Sequence, residues 1–329
     1  MKVNFAWLAA ASMAVALAGC NAAPEPSKTD PGTKPTAQTS GKKYKIGVSI
    51  PSADHGWTAG VVYWANEAKK ELASDADITV VTAKDGEDQV KQLETLATQG
   101  LDAIVFLAYD TKSLTPEIKK LKEQGIFLVS VDRGVDTPVD MFLAGDNKQF
   151  GKISAEYIVK KLGGKGKILV YRGIPCQVDT DRVDAANAVF KASGVEVLQE
   201  LVGKWDRQEA YKVTQTALLK YPQIDAIWAG DDDMALGVEK AFKEANRTQP
   251  WMLGGAGMQD VVKRVKANDP VFPADTTYPP KMINDAVHAC VEALKAGKKA
   301  GQAQENKTIP CELITPENAD KFTYPDSPF

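Results

Sequence analysis

From Tyr44 onward, short apolar runs alternate with longer stretches whose apolar residues recur every three to four positions. The runs are Tyr44 to Ile50, Ile78 to Thr82, Ala103 to Leu107 and Ile126 to Val131. Between them lie Thr58 to Ser74, Glu87 to Gln99 with Val90, Leu93, Leu96 and Ala97 on one face, and a segment marked by Leu114, Ile118 and Leu121. A short continuous apolar run leaves no polar face for water, so it predicts a strand covered on both sides. The amphipathic stretches predict the crossover helices that cover it. The rhythm then restarts, with strands at Ile168 to Tyr171, Val195 to Leu201, Ala226 to Ala229 and Trp251 to Gly254. Helices are predicted at Phe150 to Leu162, Arg182 to Ala192, Glu209 to Leu219, Ala235 to Ala245 and Gln259 to Ala267. Two strand sets, each of domain size, predict an α/β protein with two doubly wound parallel-sheet lobes.

In an open parallel sheet, ligands bind beyond the carboxyl ends of the strands. The residues there are distinctive. Asp54, His55, Gly56 and Trp57 follow the first strand, and Asp132 and Arg133 follow Ile126 to Val131. Arg172, Asp179, Asp181 and Arg182 follow Ile168 to Tyr171; Trp205 and Asp206 follow Val195 to Leu201. Asp231, Asp232 and Asp233 follow Ala226 to Ala229, and Tyr278 follows Val271 to Thr276. Carboxylates accept hydrogen bonds from hydroxyls and arginine donates to them in fixed directions. Aromatic faces cover C–H surfaces without demanding hydrogen bonds. The set fits a sugar or polyol, with Trp57 and Trp205 on opposite sides. Some of these acids have a second use: Asp232 or Asp233 is expected to cap the helix that follows.

The amino-terminal segment points to location. Met1-Lys2 precedes an apolar stretch ending Leu17-Ala18-Gly19-Cys20, which reads as a secretory signal and resembles a bacterial lipobox. The resemblance implies a signal peptide over 1–20 and lipid on Cys20. Residues 21–43, rich in Pro, Thr, Ser and Lys, are expected to be a flexible tether. Net charge is −3 with both signs dispersed, which gives no basic surface for nucleic acid. Outside the cytoplasm a disulfide is permitted, and Cys290–Cys311 is one expected pairing, two buried thiols the other, with Cys176 left as a thiol near the site. No Cys/His cluster has zinc spacing, so no metal and no cofactor are expected.

Four segments together resemble the periplasmic sugar-binding proteins of the ribose/galactose type, the substrate receptors of ABC importers. They are Val131-Asp132-Arg133-Gly134, Arg172-Gly173-Ile174 leading to Asp181-Arg182, Trp205-Asp206-Arg207, and Trp228 to Gly237 with its Asp-Asp-x-Met-Ala-Leu-Gly core. The similarity runs from about Tyr44 to about Thr315. It implies a type I periplasmic binding protein fold with a three-stranded hinge. One lobe would be 44–145 plus 279–300 and the other 146–278 plus 301–329. The crossings would lie near Gly145-Asp146, Tyr278 to Pro280, and Gly301 to Thr308. It implies sugar contacts from Asp132, Arg133, Arg182, Trp205 and Asp231. Trp57 falls near the family's first-loop aromatic. Tyr278 stands where ribose receptors carry a hinge Gln, and Ala256 where they carry an Asp. These departures, with His55, point away from ribose itself toward another pentose, a hexose or a sugar alcohol.

The expected function is a lipid-anchored receptor on the periplasmic or extracellular face of a bacterial membrane, monomeric, delivering a monosaccharide or polyol to an ABC permease. The alternative is a sugar- or autoinducer-sensing receptor for a chemoreceptor or histidine kinase. An enzyme is not expected. Gly-x-Ser-x-Gly is absent, and the arginines beside the cleft carboxylates should hold them ionised rather than tune one as an acid.

Overall fold

The computed structural model describes residues 43–53 and 55–329; the predicted leader, Cys20 and nearly all of the tether lie outside them, as does Asp54. In the first lobe the order is β1 (Tyr44–Pro51), α1 (Gly56–Glu71), β2 (Ala76–Ala83), α2 (Gly86–Ala97), β3 (Ala103–Phe106), α3 (Thr111–Glu123), β4 (Phe127–Val131) and β5 (Met141–Gly145). Then come α4 (Asn147–Lys161), β6 (Lys165–Arg172), α5 (Gln177–Lys191), β7 (Gly194–Val202), α6 (Arg207–Lys220), β8 (Ala226–Ala229), α7 (Asp232–Glu244), β9 (Trp251–Leu253), α8 (Gln259–Lys266) and β10 (Asp275–Thr276). The chain ends with α9 (Met282–Lys295), β11 (Glu305–Ile309), β12 (Leu313–Ile314) and a 3-10 turn at Ala319–Phe322.

Two parallel sheets form, ordered β11-β5-β4-β3-β1-β2 and β7-β6-β8-β9. Every residue of β3, β4 and β8 is buried, as continuous apolar runs require. No helix among the described residues is long and apolar enough to cross a membrane.

Several helices start on an aspartate whose side chain accepts from a first-turn N–H. Asp85, Asp110, Asp146, Asp206 and Asp231 do so at 2.7–2.9 Å. The carboxylate satisfies a donor that the helix leaves unpaired and faces the positive end of its dipole. Much of the acidic residue pattern after strands therefore serves helix starts. The cap of α7 is Asp231, not Asp232 or Asp233 as the sequence suggested; those two occupy its first turn.

Three crossings join the lobes, after Gly145, around Tyr278 and after Ile309. They bond to one another: Asp146 N donates to Ile309 O at 2.9 Å and Thr277 N to Glu312 O at 2.8 Å. The third differs from expectation. Residues 305–309 pair with β5 in the first sheet, so the segment 301–329 is divided between the lobes and the crossing follows Ile309. β11 is an exposed edge strand reading Glu-Asn-Lys-Thr-Ile, without the apolar run that reveals a buried strand. α5 likewise begins five residues earlier than predicted, at Gln177, because its first turn is polar.

Candidate functional site

A cavity lies between the lobes, beyond the strand ends, where open parallel sheets bind ligands. His55, Trp57, Asp132, Arg133, Arg182, Trp205, Asp231 and Tyr278 all line it, with Cys176, Val178 and Ala256. The fold thus brings these residues together, whereas Arg172, Asp179, Asp181, Asp206, Asp232 and Asp233, which also follow strands, do not line the cavity.

From the first lobe, Asp132 leaves β4 with φ at 61°, a left-handed conformation rare for a side-chain-bearing residue. The turn directs adjacent Asp132 and Arg133 to one cavity. Arg133 Nε lies 3.6 Å from Asp132 Oδ2, and its Nη1 donates to the carbonyls of Ala108 and Tyr109 at 3.4 and 3.3 Å. Trp57, in the first turn of α1, donates its indole N–H to Tyr278 O at 2.9 Å, and the two rings are tilted 38° apart.

Tyr278, on the second crossing, donates its hydroxyl to Asp132 Oδ1 at 2.5 Å and accepts from Asn147 Nδ2 at 3.2 Å. Burial first, and then the Asp132 charge, push its phenol well above the ordinary range, so it stays a donor. Its ring covers Arg182, whose Cζ lies 4.2 Å from the Tyr278 centroid and 4.1 Å from that of Phe150. Arg182 Nε donates to Asn147 Oδ1 and Nη1 to Gly230 O, both at 2.8 Å. The guanidinium is therefore fixed in plane and direction before any ligand arrives.

Trp205 sits on a turn where Lys204 and Trp205 have φ of 58° and 61°. Its ring lies against Gly173 and Gly230; a Cβ on Gly173 would fall 1.8 Å from the indole. Only glycine there leaves room for the ring. Trp205→Ala is expected to weaken ligand binding by about 1–3 kcal/mol through lost aromatic contact. Isothermal titration checks this, and undiminished affinity would assign Trp205 to packing alone.

Asp231 is nearly buried, and its carboxyl is raised to about 7, first by burial, then by Asp233, against Met234 N–H, His55 and Arg182. This corrects the expectation that neighbouring arginine keeps the cleft carboxylates ionised: desolvation outweighs it here. Asp233 faces the other lobe, where its Oδ2 accepts from Gly56 N at 3.0 Å while Oδ1 accepts from Arg207 Nη2 at 2.7 Å. Asp232 holds the loop after β9, accepting from Gly255 N and Met258 N at 2.9 and 2.8 Å. That loop carries Ala256 to the cavity with φ at 93°.

The sequence reading missed Asn147, Phe150 and Val178. Asn147 and Phe150 face the cavity residues from α4, whose apolar face reads only as core. Asn147 follows directly on a crossing, and that placement was the available signal. Asp179 accepts from Arg172 Nε and Nη2 and from Gly173 N. The Cys290–Cys311 pairing is not formed, and both are free thiols. Cys290 is in the core of α9, whereas Cys311 lies on the third crossing with its thiol donating to Asp146 O at 3.3 Å. Cys176, also free, is the residue preceding α5.

A family model described as a periplasmic binding protein domain matches residues 46–299. The chain is 31% identical over 248 residues to a xylitol-binding protein of Mycolicibacterium smegmatis, covering 72% of this chain and 68% of the relative. It is 23% identical over 283 residues to a ribose import binding protein of Bacillus subtilis, covering 86% and 90%. Among solved structures, a myo-inositol-bound ABC transporter solute binding protein of Bacillus halodurans matches with a TM-score of 0.76 at 24% identity, over 87% of this chain and 98% of that one. With the two-lobed fold and the matched domain together, the chain belongs to the periplasmic binding protein family, in its ribose-type branch.

Proposed function

We propose that this protein is a lipid-anchored extracytoplasmic receptor that closes two lobes on a monosaccharide or sugar alcohol and presents it to an ABC import permease. The observation that carries this reading is the cavity itself. Two acids, two arginines and three aromatic rings converge there from both lobes and the hinge. Such a wall meets hydroxyls with charged partners and C–H faces with rings, and closure excludes the water that would compete. The names of the xylitol-binding and ribose import relatives favour this ligand class. The Leu17-Ala18-Gly19-Cys20 sequence supports the anchor. A transport receptor needs micromolar affinity or somewhat tighter, about −8 to −10 kcal/mol.

A thermal-shift screen against pentoses, hexoses and polyols tests the reading, because a ligand that binds only the folded state raises Tm by mass action. One stereospecific hit is expected, lost in Arg133→Ala with the fold intact. No hit across the panel would remove the sugar-receptor assignment.

A further inference from the structure

Beyond β12 the chain does not stay with one lobe. The turn at Ala319–Phe322 packs on α8 of the second lobe, where Lys266 pairs with Asp320. Gln259, the buried first residue of α8, holds the backbone that follows: its Nε2 donates to Phe322 O at 3.1 Å and its Oε1 accepts from Tyr324 N at 2.7 Å. A buried amide that meets both a carbonyl and an N–H fixes the path of the segment on this lobe. Past that point the side chains reach the first lobe. The Tyr324 ring stands edge-on to Trp64 of α1, with centroids 5.5 Å apart at 87°. Phe329, 2% exposed, touches α1 itself. A Cβ on Gly60 would fall 3.0 Å from Phe329 Cβ, and one on Gly56 would fall 3.0 Å from the Phe329 ring and 3.1 Å from Met258 Cε of the second lobe. The ring thus lies where the lobes meet, beside Pro280 of the second crossing. Gly56 is also the residue whose N–H donates across the lobes to Asp233 Oδ2.

The three crossings fix where the lobes pivot, not how far apart they stand. That separation depends on what closure removes from water and what it pairs. When the lobes part at this edge, Gly56 N loses its carboxylate, Tyr324 leaves Trp64, and Phe329 leaves either α1 or Met258 and exposes apolar surface. These costs fall on the open form alone, so the segment shifts the equilibrium toward closure before any ligand is bound.

We propose that residues 322–329 are a latch that holds the two lobes closed, with Tyr324 and Phe329 as its positioning residues. The inference rests on the receptor reading above, in which the lobes open and close, but its test needs no ligand. Hydrogen exchange resolved to single amides on the full chain reads it, because the Gly56 N–H is protected by a carboxylate of the other lobe. In Phe329→Ala, Gly56 exchange is expected to rise about tenfold or more. Tyr324→Ala, which trims a half-buried ring and leaves the Gln259 bonds in place, should raise it by a smaller factor. Amides of β3 and β8, one in each core, should keep the rates of the parent, and small-angle scattering should show a larger radius of gyration in the variants. An unchanged Gly56 rate in both variants overturns the latch and leaves the receptor reading standing. A rise shared equally by β3 and β8 also overturns it, because the two rings would then serve the stability of the whole fold. So does a parent chain in which Gly56 already exchanges as an unprotected amide. The receptor reading is judged separately, by the ligand screen.

Discussion

Replacing Arg182 by alanine is expected to raise the dissociation constant for the best ligand by about a thousandfold or more while the protein still folds. The side chain is 4% exposed and lies between the rings of Phe150 and Tyr278. It forms no ion pair within 4.0 Å among the described residues, and its charge acts on the Asp231 carboxyl at longer range. A buried cation held by rings, an amide and a carbonyl is preorganised to donate in one direction. Removing it takes away a ligand donor, leaves Asn147 Oδ1 and Gly230 O without their partner, and frees Tyr278 to move off Asp132. Arg182→Lys restores charge but not the planar fork, so it should recover only part of the affinity. Titration calorimetry with circular dichroism on each variant checks this. An Arg182→Ala protein within about tenfold of the parent would show that the guanidinium supports the cavity without touching the ligand.

The second large effect is on stability against pH. Asp231 and Asp275 are each raised to about 7, chiefly by burial, and Asp232 is pushed well above its ordinary range by burial and by Asp275. An acid whose folded pKa exceeds its unfolded value near 3.8 binds more protons in the native state. Stability therefore falls as pH rises from about 4 through about 7. For one such group the loss is on the order of 4 kcal/mol. In a chain of this length that corresponds to a Tm lower by roughly 5–10 °C at pH 8 than at pH 5. Below about pH 4 the opposite sign takes over, because Glu71, Glu239 and Asp269 have lowered values and lose their partners when protonated. The stability maximum should thus lie near pH 4. Scanning calorimetry across this range tests the sign, and a Tm that climbs from pH 5 to 8 would contradict it. Asp275→Asn should flatten the decline. Because hydroxyl donors favour the ionised carboxylate, ligand affinity should rise with pH through about 7, opposite to the trend in stability.

The lobes and most of their elements were legible because β3, β4 and β8 and the inner parts of β1 and β6 are buried on both faces and so are largely apolar. β5, which alternates, and β11, which is polar, carry no such mark and emerged only from their pairing with each other. The site was legible to the extent that its residues follow strands, which identified Asp132, Arg133, Arg182, Trp205, Asp231 and Tyr278. The aspartates at these positions were ambiguous from sequence, since a helix start and a hydroxyl attract the same carboxylate.

By itself, the sequence determined the alternation of strand and helix, the two-lobed class and most of the side chains that line the cavity, because each follows from local period and position along the chain. Which carboxylate caps α7, which oxygen of Asp132 the hinge tyrosine occupies, and the separation of Cys290 from Cys311 were decided by tertiary structure. So were the enclosure of Arg182 by Asn147, Phe150 and Tyr278, and the rise of the Asp231 carboxyl despite a nearby arginine. These properties depend on distance and desolvation between residues far apart in the chain, and neither exists until the lobes have folded against one another.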